Sequence, residues 1–178
     1  MPVGPTALVR PDLELYDAWA ACVEDYSTHT EMHGSGWWWI QDFGADRRSC
    51  AELIQRTAEL RTEPPEGLVV SDCYWITAGP EIAGFLMLRH SLDNEFLRTQ
   101  GGHIGYSVRP SLRRQGIASH ALGLALERAA ELGLDRVLVT CDDDNVASAR
   151  TIESRGGVFE SLHGDKRRYW ISTRSLKQ

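Results

Sequence analysis

A basic turn that contains one glycine, Arg113 to Ala118, most constrains what this chain can fold into. It follows an apolar run that ends at Pro110, and it opens an Ala/Leu-rich helical pattern that extends to Leu132. The first turn of a helix has unpaired backbone N–H donors and a partial positive charge, so it suits an anion. Gly116 lets the backbone approach a phosphate closely, because it carries no Cβ. The pattern therefore predicts a strand–turn–helix unit that binds a pyrophosphate.

The alternative interpretation of this turn is an ordinary basic start to a surface helix. Arginine is disfavoured there, since the helix dipole already places positive charge at the N-terminus. A bound anion would remove this conflict, and the turn offers guanidinium and amide donors for it. We therefore favour the phosphate site, whose predicted residues are Arg113, Arg114, Gln115, Gly116, Ile117 and Ala118.

The apolar periodicity of the remaining chain predicts an α/β protein. Predicted strands cover 6–10, 73–77, 82–89, 102–108, 136–141, 158–163 and 168–172, and predicted helices cover 11–26, 46–61, 116–132 and 145–155. Residues 27–45 indicate a loop or broken helix, and 92–100 a polar connection of about one or two helical turns. Two parallel strands joined by a helix need a right-handed crossover, and hairpins flank this unit. We expect one domain, residues 1–178, with a mixed sheet of about six or seven strands flanked by helices.

The composition limits the classes of function. The net charge of −6 argues against a general nucleic-acid binder and is compatible with a cationic small molecule or amine. No apolar run approaches the roughly 20 residues of a membrane span, and residues 1–5 show no secretion signal. The cysteines are scattered without CxxC pairs, which predicts reduced thiols in a cytoplasmic protein and no metal site. They are Cys22, Cys50, Cys73 and Cys141.

Residues 82–172 resemble the GCN5-related N-acetyltransferase (GNAT) family, because several motifs occur in the family's order. The turn from Arg113 to Ala118 matches the family's pyrophosphate turn. Residues 101–110 look like its fourth strand, 137–141 like its fifth, and 145–148, ahead of Gly156, like the motif that follows. The segment 88–97 and the ending 168–171 are similar to a bacterial branch of predicted acetyltransferases.

The resemblance implies an N-acetyltransferase that moves an acetyl group from acetyl-coenzyme A to a primary amine of a small molecule or peptide. It implies a central parallel pair of strands that splay apart, with a backbone N–H near Ser107 or Val108 as the oxyanion donor. Asn145 and Ser148 are expected to contact the coenzyme, although Asn145 is equally suited to cap a helix. A homodimer is plausible for this family.

The sequence does not identify the general acid that would protonate the leaving thiolate. In the family a tyrosine of the later motif often protonates the leaving thiolate, and Ile152 occupies that position here. Tyr106, Tyr169 or water could replace it. A thiol has a pKa near about 8.5, so the thiolate leaves readily and the lost tyrosine need not abolish turnover.

The sequence also leaves more than one candidate for the general base that would deprotonate the amine. A free alkylamine has a pKa near about 10, so it must lose a proton before it attacks a thioester at neutral pH. We expect His103 or His90 to act as the base, directly or through water. Strand alternation places His103 and Tyr106 on opposite faces, unless Gly105 introduces a bulge. The predicted catalytic residues are therefore His103, Tyr106 and His90.

Three consecutive tryptophans, 37–39, lie in the irregular segment where the family often builds its acceptor wall. They cannot all face one way, so at least one is expected in the core. An aromatic wall would suit an amine through cation–π contact. We expect Trp38, Trp75 and Asn94 to contact the acceptor.

Two other classes of function compete with the enzyme. The first is a non-catalytic acyl-CoA-binding sensor or regulatory module of the same fold, which the isoleucine at position 152 would suit. The second is a dinucleotide-binding oxidoreductase, which the sequence disfavours. It lacks a GxGxxG turn after the first strand and the acidic residue about 20 positions further on.

Overall fold

A computed structural model describes residues 4–177, and within this range seven strands form one mixed sheet. The strands are β1 (Thr6–Val9), β2 (Ser71–Ala78), β3 (Glu81–Arg89), β4 (Ile104–Val108), β5 (Arg136–Asp142), β6 (Val158–His163) and β7 (Lys166–Ser172). The α-helices are α1 (Tyr16–Asp25), α2 (Arg47–Thr62), α3 (Ile117–Glu131) and α4 (Val146–Ser154). The strand order is β1-β2-β3-β4-β5-β7-β6. The predicted fold class is thereby confirmed.

The local differences from the predicted elements have identifiable causes. Residues 11–15 do not begin an α-helix, because the Asp12 side chain accepts a hydrogen bond from the Glu14 N–H and caps a separate 3₁₀ turn. The segment 27–45 contains the 3₁₀ turns His29–Glu31 and Trp37–Trp39, as a broken helix would. The connection after β3 forms one π-helical turn, Leu97–Gly101.

The central strands bury side chains on both faces of the sheet. Alternate residues of a strand point to opposite faces, so Leu86 and Leu88 of β3 pack in the core under α3, while Phe85 packs in the core under α1. This second core also holds Trp19, whose ring stacks on that of Trp75 at 6.2 Å between centroids. Burying a side chain of this size contributes about 2 kcal/mol. The two cores pack the sheet between the helices.

The parallel pair β4–β5 is hydrogen-bonded at one end and separates at the other. β4 pairs with β3 over its whole length, from Ile104 to Val108. Its pairing with β5 is confined to Ile104 opposite Val139, next to the bond from the His103 N–H to the Leu138 carbonyl at 2.7 Å. A gap therefore opens between the two strands towards their carboxyl ends.

A buried carboxylate ties the edge of this sheet to α3. The Asp72 side chain is 1% exposed and accepts hydrogen bonds from Arg10 at 3.0 Å and Arg128 at 3.4 Å. His90 Nε2 lies 3.0 Å from its second oxygen. Burial by itself raises the pKa of Asp72, but the hydrogen bonds from His90 and Arg10 outweigh this and hold the pKa below its ordinary value of 3.8. The ionised carboxylate thus stabilises the folded state.

We expect Asp72→Asn to lower the free energy of unfolding by about 3 kcal/mol at pH 7, because three cationic or polar partners lose a buried charge. A lowered pKa contributes stability above the unfolded value of 3.8, and that stability is lost as the pH falls through the folded pKa. The difference between variant and wild type should therefore shrink at pH 3. Urea denaturation at pH 3 and pH 7 measures it, with Asp93→Asn, an exposed site, as the control. An equal loss at both pH values would contradict the role of the ionised form.

Candidate active site

Two cavities adjoin at the gap between β4 and β5. The first, of about 500 Å³, includes Trp38 and Phe96 in its lining and is called the aromatic cavity here. The second, of about 920 Å³, is lined by the turn from Arg113 to Ala118 and is called the basic cleft. The residues that line both define the junction, and they are His33, Tyr106, Asp142, Asn145 and Ser148.

The start of α3 presents free backbone donors to the basic cleft. The side chains of Asp46 and Asn145 cap α2 and α4, whereas no side chain of the described chain caps α3. After Arg113, the first N–H to find a backbone acceptor is that of His120, which donates to the Gly116 carbonyl at 3.0 Å. The N–H groups of residues 115–119 have no acceptor within the described part of the chain. This arrangement suits an anion with several oxygens.

The conformation of the turn explains its glycine. Gly116 has φ +78°, and a Cβ there would meet no atom within 4 Å. The left-handed backbone, rather than a close contact inside the protein, requires glycine at this position. Arg114 also has a positive φ of 63°, which is uncommon for arginine. Such strain often marks a functional turn.

The side chains of the turn are not equivalent. Arg113 is engaged within the protein, since its Nε donates to the Val108 carbonyl at 2.9 Å and its Nη2 pairs with Glu31 at 3.1 Å. Arg114 is exposed and lines the cleft with Gly116. Gln115 is exposed and does not line the cleft. Of the predicted donors, Arg114 is therefore the best placed to meet a ligand.

The remaining predicted members of this site also lie in the basic cleft. Ser107, Val108, Ile117 and Ala118 line it. Asn145 accepts a hydrogen bond from the Ser148 N–H at 3.1 Å, which is the helix-cap geometry weighed from the sequence. Asn145 still lines both cavities. The cap and a ligand contact are compatible, because the amide nitrogen is not used by the cap.

Two hydroxyl groups meet at the junction. The Tyr106 hydroxyl lies 3.1 Å from Ser148 Oγ. Burial raises the pKa of Tyr106 to about 12, although the hydrogen bond with Ser148 acts in the opposite direction. The phenol therefore keeps its proton at neutral pH and can donate a hydrogen bond. Ile152, at the position of the expected tyrosine, is completely buried in the core under α3.

His33 is the functional candidate that the sequence analysis missed. Its side chain is exposed to both cavities, and desolvation by the surrounding protein lowers its pKa below 6.5. The Ser107 hydroxyl fixes this loop by donating to the His33 carbonyl at 2.9 Å, while the Tyr26 hydroxyl donates to Ser107 Oγ at 3.1 Å. Gly34, with φ +82°, lets the loop lie directly against the backbone of Gly105. The sequence signal that could have indicated His33 is a histidine followed by a glycine in an irregular segment.

The histidines predicted as bases lie outside both cavities. His103 is 6% exposed, and its Nδ1 accepts a hydrogen bond from the Leu138 N–H at 2.9 Å. Burial lowers its pKa to about 4, so it is neutral and structural. The β3–β4 register is regular through Gly105, so no bulge moves His103 to the face of Tyr106. His90 is held by the buried Asp72. Their positions do not favour the predicted roles.

Only one of the three predicted acceptor contacts lies at a cavity. Trp38 lines the aromatic cavity and is 47% exposed. Trp75 is 2% exposed and packs in the core against Trp19, which leaves it no surface for a substrate. Asn94 serves the local turn, since its Oδ1 accepts from the Leu97 N–H at 2.8 Å, and it lines neither cavity. Phe96, which is 62% exposed, lines the aromatic cavity instead.

Other expectations concern features of the whole chain. Among residues 4–177, no group of three or more His, Cys, Asp or Glu side chains is arranged to hold a metal ion. None of the helices in this range is long and apolar enough to cross a membrane. All four cysteines are buried free thiols.

Comparisons with known proteins identify the family. The model of the Acetyltransferase (GNAT) family matches residues 35–156, which is more than half of the chain, and the chain therefore belongs to this family. The resemblance read from the motifs is confirmed. No curated protein sequence matches the chain.

Solved structures show the same fold. Mycobacterium smegmatis RimJ in complex with CoA-disulfide is 20% identical, with a TM-score of 0.72 over 100% of this chain and 88% of that one. RimL, a ribosomal L7/L12 alpha-N-protein acetyltransferase, in complex with coenzyme A is 19% identical, with a TM-score of 0.68 over 97% and 99%. The microcin C7 self-immunity acetyltransferase MccE with acetyl-CoA and AMP is 16% identical, with a TM-score of 0.67 over 97% and 97%. These likenesses establish the fold.

The buried imidazole of His103 predicts a pH dependence of stability. Its folded pKa of about 4 lies below the ordinary 6.5, so its contribution is present above pH 6.5 and is lost as the pH falls towards 4. We expect the wild type to lose about 3 kcal/mol from this group over that interval. In His103→Gln the amide oxygen can still accept from Leu138, and this part of the loss should disappear.

Chemical denaturation at pH 4.0 and pH 6.5, values that follow from the pKa range above, measures the effect. His163→Gln, on the exposed hairpin, is the matched control and should behave as wild type. An unchanged pH dependence in His103→Gln would show that the imidazole is not held neutral.

Proposed function

We propose that this protein is an N-acetyltransferase that moves an acetyl group from acetyl-coenzyme A to a primary amine. The observation that carries the proposal is the uncapped start of α3, which faces a cleft continuous with the gap between β4 and β5. Family membership supports acetyl transfer. The structures of RimJ, RimL and MccE, which contain coenzyme A or acetyl-CoA, support the choice of cosubstrate.

The residues of the basic cleft fit the diphosphate of such a cosubstrate. The free N–H groups of residues 116–119 and the exposed guanidinium of Arg114 would hold the phosphate oxygens. Arg113 would act mainly as a brace, because its guanidinium already binds Val108 and Glu31. The thioester end would then extend along β4 to the junction.

Val108 is the stronger of the two candidates for the oxyanion donor. The Arg109 N–H donates to the Ala83 carbonyl on β3 at 2.8 Å. Because donors of successive strand residues point in opposite directions, the Val108 N–H points away from β3 and into the gap. A backbone donor fixed in this way can stabilise the negative oxygen of a tetrahedral intermediate.

His33 would accept the proton of the attacking amine, directly or through water. Its lowered pKa keeps the imidazole neutral at pH 7, which a base requires. Its carbonyl is held by Ser107 of β4, so the backbone of His33 stays beside the strand that would carry the thioester. Tyr106 and Ser148 also line the junction. Their hydroxyls would stabilise the departing thiolate, since Tyr106 keeps its proton.

The isoleucine at position 152 is the one observation that favours a non-catalytic acyl-CoA sensor. The two functions differ in turnover, so a screen of primary amines with acetyl-coenzyme A separates them. Release of free coenzyme A that depends on the amine supports the enzyme. Binding of acetyl-coenzyme A without release across all amine classes supports the sensor.

Arg114→Glu should raise the dissociation constant for coenzyme A at least tenfold, about 1.4 kcal/mol, because it places a negative charge beside the proposed diphosphate site. Isothermal titration calorimetry measures this constant. Arg61→Glu makes the same charge change at the exposed end of α2 and should leave the affinity within twofold. Unchanged affinity in Arg114→Glu would count against the assigned turn.

His33→Gln should lower kcat about 100-fold while leaving coenzyme affinity within twofold, because glutamine cannot accept the proton. Wild-type kcat should also fall on the acidic side of the pH profile, where His33 becomes protonated, and this limb should be absent in the variant. Steady-state kinetics between pH 5 and 8, the range in which an imidazole titrates, measure both effects. A variant with wild-type kcat and the same acidic limb would remove His33 from the mechanism.

A further inference from the structure

The aromatic cavity carries an excess of positive charge. Asp142 is the one acidic residue among the described residues that line it, and its carboxylate is engaged by Lys166. His33 is neutral at pH 7, because its pKa is lowered. The guanidinium of Arg89 therefore remains as an unbalanced cation, although the whole chain has a net charge of −6.

Arg89 is held in place by the backbone. It is the last residue of β3, and its Nη1 donates to the carbonyls of Gly101 at 3.1 Å and Gly102 at 3.2 Å. No Asp or Glu of residues 4–177 forms an ion pair with it. Burial lowers its pKa to about 10, so it stays protonated at pH 7. A desolvated cation without an anionic partner is costly, and a bound anion would offset this cost.

Gly105 leaves the guanidinium open to the cavity. A Cβ at this position would lie 3.6 Å from Arg89 Nη1 and 3.7 Å from Nη2. Gly105 is not among the glycines with positive φ, so its backbone would accept another residue. Its lack of a side chain therefore serves space rather than backbone conformation. Any larger residue would stand over the guanidinium.

The same cavity offers two exposed aromatic rings. Trp38 is 47% exposed and Phe96 is 62% exposed, and both line the cavity with Arg89. Exposed rings of this size favour contact with an apolar or flat group. A cationic fork and aromatic surfaces in one cavity are complementary to an anion joined to an apolar body.

We propose that the acceptor amine carries an oxyanion, a carboxylate or a phosphate, that pairs with Arg89, and an apolar portion that lies against Trp38 and Phe96. This substrate class rests on the proposed acetyl transfer. It disfavours purely cationic acceptors such as polyamines, which the net charge alone would favour. The anion would also orient the amine towards the junction, since Arg89 and His33 line one cavity.

The test compares binding of matched probes by calorimetry, with the full chain, in the absence and presence of saturating coenzyme A. The probes are N-acetylphenylalanine, its neutral twin N-acetylphenylalaninamide, and the phosphonate analogue of the same compound. We expect at least one anionic probe to bind tenfold or more tightly than the neutral twin. The anion with the larger preference identifies the source as carboxylate or phosphate.

Two variants assign the preference to Arg89. In Arg89→Gln the anionic and neutral probes should bind equally, whereas Arg98→Gln removes an exposed cation that does not line the cavity and should keep the preference. Gly105→Ala leaves the hydrogen bonds of Arg89 intact and should reduce the preference at least threefold by covering the guanidinium. If Arg89→Gln does not fold, Gly105→Ala alone tests the role of Arg89.

Equal affinity of the wild type for all three probes, including no binding of any of them, overturns the proposal. So does a preference that survives in both Arg89→Gln and Gly105→Ala. The outcome is separate from that of the proposed function, because no step of this test requires turnover. Coenzyme binding without an anion preference removes only the subsite, and an anion preference without coenzyme binding removes only acetyl transfer.

Discussion

The separation of β4 from β5 is the constraint on which the rest of the structure depends. The strands share one paired position, Ile104 opposite Val139, before they diverge. Two parallel strands normally satisfy each other's backbone groups, so divergence leaves donors of β4 without a neighbouring strand. Those donors face a gap that both cavities reach. The reaction proposed for this protein takes place at the gap between β4 and β5, and the two cores pack on either face of the sheet that contains this gap.

The candidate site has cationic groups in its two cavities and neutral groups at the junction between them. The start of α3 and Arg114 offer positive charge in the basic cleft, and Arg89 offers it within the aromatic cavity. The groups at the junction are held neutral, since His33 has a lowered pKa and Tyr106 a raised one. In the proposed reaction, charge would bind and orient the two substrates, and neutral groups would remain where protons must move.

Local sequence patterns predicted what local forces decide. The basic turn, its glycine and the helix that follows depend on residues within one or two turns of each other. The mixed sheet with one parallel pair could also be inferred, because a crossover helix and two hairpins restrict the topology. Local patterns did not predict whether a given side chain would point into the core or into a cavity, because this depends on how distant elements pack together. Trp75 and Trp38 are both tryptophans in plausible places, yet one is in the core and the other lines a cavity.

The sequence by itself determined the family, the fold and the position of the basic turn before α3, because these follow from motifs of neighbouring residues and from strand and helix periodicity. Only the tertiary structure decided which histidine stands at the junction and which arginine lines the aromatic cavity without an acidic partner. His33 and Ser107 are far apart in the chain, and so are Arg89 and the loop that carries Trp38. They come together because the loop that carries His33 and Trp38 packs beside the diverging strands β4 and β5.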